Sequence, residues 1–239
     1  MGGATSGAEL EDAFVLHTRP YQETSLILEA LGAHHGRVGL VAKGARRPSS
    51  RWRSVLQPFL PVRLSWSGRG SLYTLRVAEP ASFAPSLGGL ALMGAFYLNE
   101  LILNFVRRGD PHPGLFIAYS QALADLRSGS DPEQPLRRFE LQMLAEVGYG
   151  LNLDHDVLND VPLDPDALYE YRLEHGPVPA AAGGGGLTLP GADLLAIGRG
   201  ELQSPAVLSA ARRLLRSVLA HYLDGRTLKT REVLASMRR

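Results

Sequence analysis

Nine cationic side chains, Arg37, Lys43, Arg46, Arg47, Arg51, Arg53, Arg63, Arg69 and Arg76, stand in one stretch that contains no aspartate or glutamate. The nearest acids are Glu29 before it and Glu79 after it. The whole chain carries a formal net charge of only +1, so the cations are segregated locally. A block of like charge this long repels itself and calls for a counter-ion, and a polyphosphate is the obvious one. Trp52 sits between Arg51 and Arg53. Cations with an interleaved aromatic suit a single nucleic-acid strand, since the cations track phosphate and the ring can stack on a base. Packing of Trp52 on the protein itself is the alternative. The competing reading of the whole block is a solvated basic face, but an exposed face of that kind normally mixes signs.

The elements that must position these cations read as β structure from Ala13 to Pro80. Phe14 and Leu16 alternate with Val15, His17 and Arg19, and Leu26–Leu31 forms a second strand. Val38, Leu40 and Ala42 share a face opposite Arg37, Val41 and Lys43, and Val62, Leu64 and Trp66 share one opposite Arg63 and Ser65. In the last strand Tyr73, Leu75 and Val77 lie opposite Leu72, Thr74 and Arg76. Successive side chains of a strand point to opposite faces, so Arg37, Lys43, Arg63 and Arg76 point away from the core face. Five short strands in this length predict a small barrel, because closure removes exposed edges. The longest connection, Gly44 to Ser54, holds Arg46, Arg47, Arg51 and Arg53.

After Pro80 the pattern becomes helical. Leu90–Val106 is the most apolar run, but Asn99, Glu100 and Asn104 interrupt it, which predicts a buried amphipathic helix and no membrane span. Leu115, Ala118, Tyr119, Ala122, Leu123 and Leu126 make a second helical stripe. Leu136, Phe139, Met143, Leu144 and Val147 make a third, from Pro135 to Gly148, with Arg137 and Arg138 on its other face. Such a stripe is usually core; its edge beside two arginines could also hold a short peptide. Ser204-Pro205 starts a last helix, striped by Leu208, Ala211, Leu215, Val218, Leu219 and Tyr222 and closed by Gly225. A basic tail follows, with Arg226, Lys229 and Arg231. The predicted organisation is α+β in two domains: a start at 1–12 that is flexible, a five-stranded β-barrel at 13–80, and a helical domain at 81–239 with an irregular acidic and glycine-rich insertion at 151–190.

Several chemistries are excluded. The chain has no cysteine, so it forms no disulfide and no thiolate zinc site, as suits a reducing cytoplasm. The seven histidines are scattered, without metal-ligand spacing. Asp154–Glu174 is acidic, yet the sixth and twelfth positions counted from Asp154 are Asn159 and Pro165, where an EF-hand needs glycine and glutamate. Ala180–Gly186 is no phosphate loop, and neither a nucleophile elbow nor an HExxH motif occurs. The residues thus predict no enzyme, cofactor, metal or small-molecule substrate. Met1–Gly7 is not a secretory signal; it matches the loose myristoylation pattern, but a flexible start is the simpler reading.

The chain resembles the RecO recombination mediators of bacteria. In the basic half the resemblance rests on Thr18-Arg19-Pro20-Tyr21, His35-Gly36, Val41-Ala42-Lys43-Gly44-Ala45-Arg46-Arg47, Leu56-Gln57-Pro58-Phe59 and Ala78-Glu79. It continues through Tyr97-Leu98-Asn99-Glu100-Leu101, Arg138-Phe139-Glu140, Val147-Gly148-Tyr149-Gly150 and Leu228-Lys229-Thr230-Arg231. It implies an N-terminal OB-fold, binding of single- and double-stranded DNA, and annealing of strands coated with the single-strand-binding protein SSB. It also implies contacts with the acidic SSB tail and with RecR, help in loading RecA, and a cytoplasmic place near the nucleoid. Many members of that family carry a four-cysteine zinc module; Leu151–Gly186 has no cysteine, so the resemblance is to the zinc-free branch or to a member that has lost the module. An acidic peptide ending in an aromatic residue needs an apolar slot and a guanidinium, which points to Arg137, Arg138, Phe139, Leu141 and Met143. The alternative is that these arginines only pair with Glu133, Glu140 or Glu146. Two other classes compete: an adaptor that uses the barrel on RNA or an acidic protein, and an enzyme with an unrecognised site.

Overall fold

A computed structural model describes residues 9–129, 131–181, 186–230 and 233. The sequence readings on Met1–Gly7 and on Arg231 lie outside them. The chain forms two compact units, divided between Leu123 and Ala124.

The first unit opens with five strands, β1 (Glu11–Tyr21), β2 (Ser25–Gly32), β3 (Gly36–Ala42), β4 (Pro61–Ser67) and β5 (Tyr73–Pro80). They close into a barrel in the order β1-β2-β3-β5-β4. Every pair is antiparallel except β3 with β5. This is the five-stranded barrel that the alternation predicts, and it is OB-like, as the resemblance implies. Ordered chain begins sooner than position 13, since Glu11 and Asp12 already pair with Leu64 and Arg63. Ala13, Val15, Leu28, Ala30, Val38, Leu40, Val62, Leu64, Trp66 and Leu75 fill the interior. One expected inward residue is not there: Val77 is exposed. Opposite Ser65 and Trp66 the strand β5 bulges, with Arg76 as the extra residue between Val77 and Leu75, so the phase of β5 shifts by one and Ala78 packs on the interior in place of Val77.

The outer surface of β1 is also buried. Phe14 packs on Phe116 and Tyr119 of α2 (Pro113–Arg127), with ring centroids 5.4 and 5.1 Å away. Asn99 of α1 (Gly89–Phe105) donates to the Leu16 carbonyl at 2.7 Å and accepts from the Tyr119 hydroxyl. The polar interruption of the apolar run is therefore a buried, satisfied anchor between helix and barrel. Among the described residues no helix is long and apolar enough to cross a membrane. The segment after α1 runs beside β3, where the Gly109 N–H donates to the Arg37 carbonyl. Gly36, at φ +63°, admits this strap: a Cβ there would stand 2.0 Å from the Asp110 carbonyl oxygen.

In the second unit α3 (Glu133–Glu146) and α5 (Pro205–Tyr222) supply apolar faces, including Phe139, Met143, Leu144, Leu214, Leu215 and Val218. The described residues of 151–190, expected to be irregular, include regular strands. They form a hairpin, β6 (His155–Asp156) with β7 (Val161–Pro162), and a sheet of β8 (Leu168–Arg172), β9 (Gly176–Pro179) and β10 (Thr188–Pro190) in the order β10-β8-β9. Tyr169 and Tyr171 are its inward residues. Strands of two to five residues are too short to show a period-two pattern, which is why the acidic composition hid them. The eight-residue α4 (Gly191–Gly198) escapes sequence reading for the same reason.

Candidate nucleic-acid interface

The connection between β3 and β4 folds as a basic loop anchored at apolar points. Gly44 turns the chain at φ +73°, and Ala45 and Leu56 are buried against the barrel. Between them Ser50 caps a single 3-10 turn, Arg51–Arg53, by accepting from the Trp52 N–H. Three residues per turn separate side chains by about 120°. Arg51 and Arg53 can then face solvent while Trp52 packs on the barrel core, and they do. The packing reading of Trp52 thus holds, although the ring also lines a cavity.

Lys43, Arg47, Arg51 and Arg53 are exposed, and their cationic groups have no ion-pair or hydrogen-bond partner among the described residues. Arg46 is exposed and fixed: its backbone N–H donates to Thr24, and its guanidinium donates to the carbonyls of Gln22 and Glu23 at 3.3 and 3.2 Å. Those partners leave its charge uncompensated. Arg69 is exposed in the β4–β5 turn. Arg63 pairs with Glu79 at 3.1 Å and Arg76 donates to the Ser67 hydroxyl at 2.6 Å, both at the surface. A surface pair of this kind is worth little and leaves Arg63 able to exchange its partner.

Arg37 is different. It points away from the barrel interior, as its phase requires, but not into solvent. Its guanidinium donates to Glu29 at 2.8 Å and to the Leu103 and Val106 carbonyls at the C-terminal end of α1, at 2.8 and 2.9 Å. Arg37 therefore holds the helix to the barrel and is no free phosphate ligand. Arg108, which sequence reasoning passed over, hydrogen-bonds the same Glu29 and the Ser71 carbonyl. Burial would raise the Glu29 carboxyl, but the hydrogen bonds and charges of Arg108 and Arg37 outweigh it and hold it below its usual value.

The peptide slot expected on α3 is not open. Phe139 and Met143 are core residues, and Leu141 is half-buried. Arg137 is buried and pairs with the fully buried Glu140 at 2.8 Å, which is the intrahelical alternative. Arg138 is partly exposed and pairs with Asp125 of α2 at 3.3 Å. Of these residues only Arg138 presents a reachable cation. Arg226 and Lys229 are exposed beyond α5.

Two family models match the chain. That for the recombination protein O N terminal covers residues 8–84, and that for the C terminal covers 88–232. The chain belongs to the RecO family. It is 44% identical over 228 residues to the DNA repair protein RecO of Nitrosospira multiformis, covering 95% of this chain and 94% of the relative. To the DNA repair protein RecO of Azoarcus sp. it is 45% identical over 231 residues, covering 95% of each. To that of Vibrio cholerae it is 44% identical over 224 residues, covering 94% and 92%. The boundary between the two RecO models falls just after β5.

Proposed function

We propose that this RecO-family chain is a non-enzymatic DNA-binding mediator that pairs complementary strands during recombinational repair. The observation that carries the reading is the group of exposed, unpartnered cations Lys43, Arg47, Arg51 and Arg53 beside the fixed Arg46. A loop held on a closed barrel presents these charges without a large ordering cost, and such charges bind any phosphate backbone, single- or double-stranded. Annealing follows from the same property: a face that neutralises phosphate lowers the repulsion between two strands brought together. The barrel, 13–80, is the nucleic-acid domain in this reading, and 81–239 serves protein contacts in the cytoplasm. Those contacts are with the acidic SSB tail, through Arg138 in the second unit, and with RecR ahead of RecA loading; Arg226 and Lys229 add a secondary basic patch.

The test is a fluorescence annealing assay with complementary strands, bare and SSB-coated, with and without RecR. Accelerated pairing in the absence of nucleotide and divalent metal is the expected result. A chain that binds partner proteins but neither binds nor anneals DNA would be the adaptor of the competing class.

A further inference from the structure

The basic loop borders an open-mouthed cavity. Thr18, Leu26, Ala45, Arg46, Trp52, Arg53, Leu56, Gln57 and Pro58 line a pocket of about 370 Å³ at the side of the barrel. That volume lies in the range of small-ligand clefts, roughly 300–1,000 Å³. The walls divide by chemistry. Leu56 belongs to the apolar cluster of the barrel, and Leu26 and the Trp52 ring pack against that cluster, so this side is apolar. Arg46 and Arg53 supply two cations, and no carboxylate lines the cavity. Thr18 and Gln57 add neutral polar groups. The Trp52 Nε1–H is buried and has no hydrogen-bond partner among the described residues, an uncommon state for a buried donor in a folded protein.

A flat apolar wall and two cations together suit a planar ring attached to an anion. Lys43, Arg47 and Arg51 continue the positive charge outside the cavity, which is more than one carboxylate needs and what a run of phosphates needs. We propose that this cavity receives one unstacked base of a single-stranded segment while the adjoining phosphates meet Arg46 and Arg53. The assignment rests on the DNA reading above and goes beyond it. A paired base is held in its stack and enters only after unpairing. The cavity therefore distinguishes single strand from duplex, whereas the surface cations do not. For an annealing protein the consequence is directional: the single strand is gripped by one base more than the duplex product, so pairing weakens the grip at this point and favours release.

The experiment measures binding of three ligands by fluorescence anisotropy: oligothymidylate, an abasic strand of the same length, and a duplex of the same phosphate count. Wild type binds oligothymidylate more tightly than the abasic strand, on the order of tenfold, the scale of one base–aromatic contact. Trp52→Ala lowers oligothymidylate affinity to the abasic level and leaves the duplex unchanged. Thr18→Phe fills the cavity, keeps Trp52 and does the same, so the test survives if the tryptophan variant does not fold. Equal wild-type affinity for oligothymidylate and the abasic strand overturns the assignment. So does a folded variant that weakens all three ligands alike. An acidic aromatic peptide lost in Trp52→Ala with oligothymidylate intact assigns the cavity to a protein ligand instead. If the wild type binds none of the three nucleic acids, the DNA reading itself fails; if it binds them with a steep salt dependence but no preference for bases, only the cavity assignment fails.

Discussion

Arg37 Nε meets Glu29 Oε2 at 2.8 Å on the outer surface of the barrel, and the same carboxylate is held by Arg108 from the strap after α1. One acid thus compensates two arginines, and the first cation of the basic block belongs to the architecture. Removing one member of such a buried set leaves the others uncompensated, which is more costly than the set is stabilising. Glu29→Gln and Arg37→Ala should each lower the unfolding free energy by about 3 kcal/mol, read by urea denaturation. Arg37→Ala, measured below its unfolding transition, should bind DNA as the wild type does. A loss of DNA affinity larger than any change in folded fraction would return Arg37 to the interface.

Acid sensitivity follows from the same carboxylate. Glu29 titrates below its ordinary value of 4.5, so the folded state binds its proton more weakly than the unfolded chain does. Its contribution is complete above the ordinary value and is lost as pH falls from there through the depressed folded value. The gap between the denaturation midpoints of wild type and Glu29→Gln should therefore narrow as pH falls from the ordinary value of 4.5 through the depressed folded value, and widen as pH rises again. A gap that stayed constant with pH would remove charge from the explanation.

The cations that do face solvent should behave as phosphate ligands. Replacing Lys43, Arg47, Arg51 and Arg53 together by alanine should weaken single-strand and duplex binding. It should also flatten the plot of log affinity against log salt by roughly one unit per lost duplex contact, somewhat less on a single strand. Stability should change little, because none of the four side chains has a polar partner to lose among the described residues. An unchanged slope would place the DNA elsewhere on the molecule.

The adjacent arginines of α3 should separate cleanly. Glu140→Ala strands the buried Arg137 guanidinium and should destabilise the protein by about 3 kcal/mol, seen as a lower thermal midpoint. Arg138→Ala removes only a partly exposed pair with Asp125 and should cost no more than about 1 kcal/mol. If Arg138 clamps an acidic tail, titration of a labelled SSB-tail peptide should show clear weakening in Arg138→Ala with the fold intact by circular dichroism. Equal affinities would move that contact to another part of the second unit.

The sequence by itself determined the parts of this protein that are governed by local physics. Period-two alternation in Val38–Ala42 and Val62–Trp66 places their buried faces correctly, because the pleat sets side-chain direction residue by residue. Leu115 to Leu126 does the same for α2. The absence of acid from 37–76 already marked the charged face, since local pairing cannot neutralise cations in a segment without acids. Which cations remain free was decided only by tertiary structure. Arg37 is neutralised by a residue eight positions away and by carbonyls 66 and 69 positions away, and Arg108 reaches back 79 positions to Glu29. Phase alone reports that such a side chain leaves the core of its own sheet; it does not report that a helix covers the surface it leaves through. The β5 bulge that turns Val77 outward, the burial of Arg137 beside Glu140 and the cavity beneath Trp52 arise in the same way, from packing between segments whose spacing along the chain carries no periodic signal.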